Sequence, residues 1–186
     1  MKPAYRIFAT AVGAVAALAG TGAHAALGDY LVVQNSGEVI LTFEGSEAGY
    51  DSLLSVNGSP EIFPNHSTAV GATYDLGYFT AGTILDAALH VVNTGDVFHS
   101  GPGSLNPDGD IHANVIENWN GTGRTYVGFE DIYGTPDGAG DYNDHTFSFS
   151  NTYVTPTPPA VPEVQTYALL LAGLGVVAAV RKRLSK

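Results

Sequence analysis

A short acidic stretch, residues 128–149, restricts how this chain can fold. Its sequence, GFEDIYGTPDGAGDYNDHTFSF, contains five carboxylates and no Lys or Arg. The residues at both ends alternate between apolar and polar side chains, as half-buried strands do. The Gly, Asp and Asn residues between these runs favour tight turns. The pattern therefore predicts a β-hairpin with an acidic tip.

Carboxylates crowded on one turn repel one another unless a positive group lies among them. Calcium binds roughly six to eight oxygen ligands from Asp, Glu, Asn and backbone carbonyls. The candidate metal ligands in this stretch are Glu130, Asp131, Asp141, Asn143 and Asp144. The same residue types also form ordinary solvated turns, so the residues alone leave a calcium site and an unliganded acidic turn both open.

A second acidic turn, Asn-Pro-Asp-Gly-Asp, precedes His112. Its carboxylates, Asp108 and Asp110, offer further ligands to the same cation from a neighbouring loop. A Pro-Asp-Gly turn also forms without any metal, so this role is an expectation for Asp108 to be tested against the structure.

Apolar residues recur at every second position in several segments of the chain, which is the pattern of strands with one buried face. The clearest are residues 39–44 and 85–91, and further candidates are residues 30–33, 50–56, 72–76, 112–116, 124–131 and 145–151. Gly, Asn and Pro separate these segments, and no long window has helical periodicity. We predict an all-β domain, an antiparallel β-sandwich of jelly-roll type.

Side chains of the predicted strand before the acidic turn fall on two faces, because successive strand residues point to opposite sides. Val127, Phe129 and Asp131 share one face, and Glu130 lies on the other. If Phe129 faces the core, Asp131 is drawn inward and needs hydrogen-bond donors or a metal. Glu130 then joins the same site only where a bulge or the turn redirects it.

Histidines are scattered along the domain and form no HxH or HxxxH pair. A zinc centre needs two or three of them to converge, so we expect surface histidines rather than zinc ligands. These residues are His66, His90, His99, His112 and His145.

Residues 1–25 have the three parts of a secretory signal peptide. Lys2 and Arg6 precede an apolar run, and Ala23, His24 and Ala25 form a small-x-small cleavage site. We predict cleavage after Ala25 and export of the remaining chain. The sequence contains no Cys, so the exported domain does not depend on disulfides.

The C-terminal residues 161–186 begin with the motif Val161, Pro162 and Glu163, followed by an apolar run and a basic cluster. They resemble the PEP-CTERM sorting signal of Gram-negative bacteria that secrete exopolysaccharide; Val164 stands where that family usually has Pro. The apolar residues 167–180 would span about 21 Å as a helix, short of a ~30 Å bilayer core. Arg181, Lys182 and Arg183 then supply a cytoplasmic membrane stop. The resemblance implies transient inner-membrane association and cleavage by an exosortase-type processing protease.

Three further phrases of the chain are VGFEDIYGTPDGAGDYNDHTF, LTFEGSEAGYDSLLSVNG and GPGSLNPDGDIHANV. They resemble an uncharacterised bacterial domain family of exported and surface proteins with a FED segment, a Gly/Asp turn and a DYND segment. The resemblance implies a small β-domain whose acids bind metal or act in catalysis. His145 and Thr146 stand where the family usually has an aliphatic pair, so we expect the strand after the turn to be less buried.

These segments divide the chain into a signal peptide (1–25), an acidic domain (26–153), a Thr/Pro linker (154–160) and the sorting signal (161–186). Residues 26–160 hold every acidic residue except Glu163, but Arg124 is their only Lys or Arg. Nucleic acid is therefore disfavoured as a partner, because almost nothing neutralises phosphate. Cations and basic or neutral surfaces are favoured.

We predict a non-catalytic protein of the cell surface or exopolysaccharide matrix that acts in adhesion or assembly of a biofilm, stabilised by calcium. Its expected partners are exopolysaccharide or surface proteins. One alternative is a polysaccharide hydrolase that uses two of Glu130, Asp131, Asp141 and Asp144. Another is a calcium-dependent carbohydrate-binding module that uses Trp119, Tyr126, Tyr133 and Tyr142.

Overall fold

A computed structural model describes residues 24–134, 140–156 and 158 of the chain. The predicted hairpin turn with Asp137, the body of the signal peptide, the sorting motif at Val161 to Glu163, the hydrophobic helix 167–180 and the basic membrane stop lie outside these residues. Within the described residues, no helix has the length and hydropathy to cross a bilayer.

The described chain contains twelve strands and two short 3-10 helices, Gly103–Leu105 and Trp119–Gly121. The strands are β1 (His24–Leu27), β2 (Tyr30–Val33), β3 (Gly37–Gly45), β4 (Ser52–Val56), β5 (Thr73–Phe79), β6 (Ile84–Leu85), β7 (Ala87–Val91), β8 (Val97–His99), β9 (Ala113–Glu117), β10 (Thr125–Phe129), β11 (His145–Phe149) and β12 (Thr152–Thr155). The predicted all-β class is confirmed for this part of the chain.

The strands form three antiparallel sheets. The large sheet has six strands in the order β1-β9-β10-β11-β3-β5. Two smaller sheets have the orders β12-β2-β6 and β4-β7-β8. The predicted hairpin lies in the middle of the large sheet, where β10 pairs with β11 from Thr125↔Phe149 to Phe129↔His145.

One hydrophobic core contains side chains from all three sheets. The large sheet contributes alternate residues of its central strands, including Val127, Phe129, Phe147 and Phe149. The predicted inward face of β10 is therefore confirmed at Phe129, which is fully buried. The smaller sheets contribute residues such as Leu31, Leu54, Leu85, Leu89 and Phe98.

The predicted strand at residues 85–91 is divided between two sheets at Asp86. Leu85 pairs with β2, whereas Ala87 and the residues after it pair with β4. The Asp86 amide donates to Asn57 Oδ1 at 2.7 Å, and the Asn57 amide donates to the Asp86 carbonyl at 3.0 Å. The buried alternation continues across this change of sheet, so periodicity alone gives no sign of it.

Other differences from the sequence prediction are local. β11 is buried at all five positions, so the expectation of a less buried strand at His145 and Thr146 is wrong. β11 is an inner strand that pairs with β10 along one edge and with β3 along the other. β12 ends at Thr155, inside the predicted linker, and β1 lies across the predicted cleavage position after Ala25.

Truncating a central core aromatic should destabilise the protein much more than a change at the sheet edge. Phe147 lies 6.0 Å from Phe43 and 6.2 Å from Phe63 between ring centroids. We expect Phe147→Ala to lower the free energy of unfolding by about 3–5 kcal/mol in urea denaturation. Thr73→Ala, at an exposed position of the edge strand β5, should change it by less than about 0.5 kcal/mol. Equal losses in the two variants would contradict this packing.

Candidate functional site

The neck of the hairpin, where residues 129–131 leave β10 and residue 144 enters β11, is closed by hydrogen bonds between its two sides. The Asp144 amide donates to the Phe129 carbonyl at 3.1 Å, and the Asp131 amide donates to Asp144 Oδ2 at 2.9 Å. One carboxylate of the predicted site thus holds the backbone where the chain leaves β10. Asp144 is 7% exposed, and Asp131 is 3% exposed.

Glu130 is fully buried on the outer face of the large sheet, the face opposite the core. Its Oε1 accepts the Tyr142 amide at 2.5 Å, and its own amide donates to the His112 carbonyl at 2.9 Å. The chain that returns from the turn, residues 140–144, lies over this face at Tyr142 and covers the carboxylate. We call these residues the return segment. Sequence reasoning missed this burial, because nothing in the residue pattern places the return segment across the sheet.

Gly128 makes this covering possible. A Cβ atom added to Gly128 would lie 2.0 Å from the Tyr142 carbonyl oxygen, which is far inside contact distance. Tyr126 Cε1 would also lie 3.1 Å away. Glycine at this position therefore allows the return segment to approach the sheet and reach Glu130.

Asp131 lies toward the other side of the strand, close to the loop that carries His66. The pKa of His66 is raised mainly by the Ala48 carbonyl and the Asp51 carboxylate, with a smaller contribution from Asp131. The two ring nitrogens lie 2.9 Å from Asp51 Oδ1 and 3.0 Å from the Ala48 oxygen. Glu130 and Asp131 therefore have different surroundings, as the alternation of strand residues predicts.

Asp108 from the second acidic turn reaches the hairpin through the chain beyond β10. Its Oδ2 accepts the Gly134 amide at 3.0 Å and lies 2.8 Å from His112 Nε2. Burial by itself would raise the pKa of Asp108, but the Gly134 amide, His112 and the Asp110 amide outweigh it and lower the pKa to about 2. Asp110 remains exposed.

The expectation of surface histidines is wrong at two positions, His112 and His145, which are fully buried. His112 stacks on Phe98 with ring centroids 3.7 Å apart and has Asp108 as its polar neighbour. His145 Nδ1 lies 2.9 Å from Ser52 Oγ, and burial lowers the His145 pKa to about 3. The contact between Asp108 and His112 could have been predicted, because the two residues are only four positions apart in the sequence. The contact between Ser52 and His145 could not, because the two residues are far apart in the sequence.

Asp141 and Asn143 lie at the exposed side of the return segment, beside Glu47, which follows the end of β3. Asn143 Nδ2 donates to Asp141 Oδ2 at 3.0 Å and to Glu47 Oε2 at 3.1 Å. The Glu47 amide also donates to the Asn143 carbonyl at 3.1 Å. Two carboxylates thus approach one side-chain amide, and sequence reasoning did not include Glu47.

The predicted ligands therefore occupy three neighbouring positions around the hairpin neck. Glu130 lies on the outer face, Asp131 and Asp144 lie at the neck, and Asp141 and Asn143 lie near Glu47. In the ranges that the structure describes, no three His, Cys, Asp or Glu side chains are grouped closely enough to hold a metal ion. The turn residues 135–139 are outside those ranges.

A cavity of about 360 Å³ lies beside His66. It is lined by Asp51, Ser52, Pro64, Asn65, His66 and Val92, among others, and by none of the predicted metal ligands. Ser52 beside His145 superficially resembles a nucleophile and its base. With a pKa of about 3, however, His145 is too weak a base to activate a hydroxyl near neutral pH.

Comparisons of the chain with protein-family models, with curated proteins and with solved structures found no match. The resemblance to the FED and DYND domain family and to the PEP-CTERM signal therefore stays a prediction from the sequence.

Gly128→Ala should disturb the return segment specifically. Because the added methyl group meets the Tyr142 carbonyl, either the sheet or the segment must shift, and we expect a loss of about 1–3 kcal/mol in the free energy of unfolding. Gly49→Ala is the matched control, since an added Cβ there meets nothing within 4 Å. Hydrogen exchange should show faster exchange of the Tyr142 amide in Gly128→Ala alone; unchanged exchange would argue against the covering role.

His145 should make the protein less stable as the pH falls. Its pKa in the folded protein, about 3, lies below the ordinary value of 6.5, so the unfolded chain binds the extra proton between these pH values. Over this window the free energy of unfolding should fall by up to about 1.4 kcal/mol for each pH unit from this group alone. Chemical denaturation at several pH values measures the slope.

The matched variants are His145→Asn and Thr73→Ala. The amide introduced by His145→Asn keeps a polar neighbour for Ser52 without a titrating ring, so the slope between pH 6.5 and 3 should flatten even if the overall stability drops. Thr73 is exposed and carries no titratable group, so its replacement should leave the slope as in the parent protein. An unchanged slope in His145→Asn would disprove the assignment.

Proposed function

We propose that this chain is an exported protein of the cell surface or exopolysaccharide matrix, and that a calcium ion bound at the acidic hairpin stabilises it for adhesion or assembly. The three buried carboxylates of Glu130, Asp131 and Asp144 are the observation that carries the proposal. Removing a carboxylate from water is unfavourable unless hydrogen-bond donors and positive charge compensate for it.

Lysine and arginine do not supply that charge in the described part of the chain. Its only Lys or Arg is Arg124, at the opposite end of β10 from Glu130. The five residues of β10 separate the two, and these six residue steps correspond to about 20 Å between their Cα atoms. Arg124 instead bonds to Ser148 and Thr42. A divalent cation would neutralise the acidic end of the strand locally.

The position of the hairpin explains why such an ion would matter for the whole domain. β10 and β11 are central strands of the large sheet, and their inner faces form part of the core. An ion that binds the folded neck and not the unfolded chain stabilises the fold by mass action. Glu130, Asp131, Asp141, Asn143 and Asp144 are the proposed ligands, with Asp108 as a supporting residue beside Gly134.

A jelly-roll sandwich remains the proposed finer architecture. The inner face of the large sheet and residues of both smaller sheets belong to one core, which supports a two-layer arrangement. Export and sorting rest on the two terminal segments of the sequence, from which we propose a signal peptidase cleavage, transient inner-membrane association and an exosortase-type partner.

A polysaccharide hydrolase is the weaker proposal. Glycoside chemistry needs two carboxylates on either side of one bond. The Glu130 carboxylate contacts the Tyr142 amide on the outer face of the sheet. The next residue, Asp131, points to the opposite side of the strand. That placement favours structural roles for these two acids.

Calcium should raise the melting temperature of the purified protein above its value in EGTA. At free calcium about 100-fold above Kd, the stabilisation is about 2.7 kcal/mol, which corresponds to a rise on the order of 10 °C. Differential scanning calorimetry in calcium, magnesium and EGTA measures it. Identical unfolding curves in calcium and in EGTA would contradict the proposed calcium site.

Variants then locate the ion. Glu130→Gln keeps the size and an acceptor oxygen for the Tyr142 amide but removes the charge, and we expect it to lose most of the calcium-dependent rise. Asp141→Ala should do the same if the exposed side of the neck contributes a ligand. Glu38→Gln changes an exposed carboxylate on β3 and should keep the full rise. Equal responses in all three variants would place the ion elsewhere.

A further inference from the structure

Two aromatic rings stack on the outer face of the large sheet, and neither belongs to a predicted calcium ligand. Trp119 lies against Tyr126 of β10 with ring centroids 5.0 Å apart and an interplanar angle of 29°. Both residues are partly exposed, and Trp119 is the only Trp in the chain. An aromatic pair on a solvent-facing sheet surface offers a flat apolar contact area of high energetic value.

A rigid loop holds Trp119 in this position. The Trp119 amide donates to the Arg124 carbonyl at 2.9 Å, and the Trp119 carbonyl accepts Thr122 Oγ1 at 2.7 Å. Asn118 and Asn120 both have left-handed backbone conformations, with φ of 50° and 51°. The Asn118 side chain also accepts the Gly123 amide at 3.0 Å. Little conformational entropy is therefore lost when a ligand contacts the ring.

Polar side chains extend this face across the neighbouring strands, with Arg124, Thr42 and Glu44 partly exposed and held by the buried Ser148. Ser148 is directly opposite Tyr126, and Thr42 is directly opposite Ser148. Arg124 Nε donates to Ser148 Oγ at 2.7 Å, and its Nη2 donates to Thr42 Oγ1 at 2.8 Å. Ser148 Oγ in turn donates to Glu44 Oε1 at 2.5 Å. Fixed donors and acceptors thus lie next to the aromatic pair.

The positive charge of Arg124 on this surface lies near the negative charge of Glu44. Burial lowers the pKa of Arg124, and the nearby Glu44 carboxylate opposes that shift. Glu44 and Glu47 are also close enough to Tyr126 to contribute to its raised pKa, for which burial is the main cause. An anionic ligand would meet these acids and the net negative charge of the domain, so an uncharged ligand fits better.

We propose that this face, formed by Trp119, Tyr126, Arg124, Thr42 and Glu44, binds an uncharged polysaccharide. A pyranose ring has an apolar C–H face and a rim of hydroxyl groups. The C–H face matches the ring of Trp119, and the hydroxyls match the guanidinium, hydroxyl and carboxylate groups beside it. None of these five residues is a proposed calcium ligand, so this site goes beyond the proposed function and does not depend on the ion.

The single tryptophan provides a direct test. The full chain is titrated with neutral oligosaccharides of glucose, mannose, galactose and xylose, and with oligogalacturonate as the anionic probe, while Trp emission is recorded. We expect at least one neutral oligosaccharide to give a saturable shift in emission, in EGTA as well as in calcium. No saturable response to any neutral probe, or a response to oligogalacturonate alone, would overturn the proposal.

Variants separate the role of the ring from the role of the fold, with binding measured by calorimetry. Trp119→Ala should weaken binding at least tenfold, whereas Trp119→Phe keeps a flat ring and should retain more of the affinity. Tyr78→Ala removes an exposed aromatic residue from the edge strand β5 and should bind as the parent protein does. Unchanged affinity in Trp119→Ala would exclude this face. Because the readout works in EGTA, failure of this site and failure of the calcium site are distinguishable.

Discussion

Antiparallel pairing between β10 and β11 fixes which residues of the hairpin face the core and which face outward. Val127 and Phe129 enter the core, and Gly128 between them leaves room on the outer face for the return segment. The same alternation continues past the strand end and separates Glu130 from Asp131. A shift of one residue in this register would exchange the two faces, exposing Phe129 and placing Gly128 in the core.

Three carboxylates around the hairpin stabilise loop backbone in the same way. Glu130 accepts the Tyr142 amide, Asp144 accepts the Asp131 amide, and Asp108 accepts the Gly134 amide. Hydrogen bonds of this kind favour the ionised form of a carboxyl group, and they account for the low pKa of Asp108. All three carboxylates lie around the same end of β10. The proposed calcium ion would act on side chains that backbone amides have already oriented.

Local periodicity in the sequence predicted most of the strands but, apart from the β10–β11 hairpin, not their partners. Residues 30–33 match β2 at both ends, and β10 and β11 lie within their predicted ranges. The strand β8 was missed because its three residues are too short for an alternating pattern. The strands β1 and β12 and the change of sheet at Asp86 were missed because pairing with distant strands defines them. The buried positions of Glu130 and His145 depend on Tyr142 and Ser52. Such contacts follow from topology, which local alternation does not encode.

The two ends of β10 differ in electrostatic character, and this difference separates the two proposed sites. Arg124 at the start of the strand is surrounded by hydroxyls and Glu44, so the surface near Trp119 is polar without a large local charge. At the other end Glu130 and Asp131 lie among further acids. The return segment crosses the outer face at Gly128, between these regions. A neutral ligand and a cation would therefore bind to the same sheet at different places, with Gly128 marking the boundary between them.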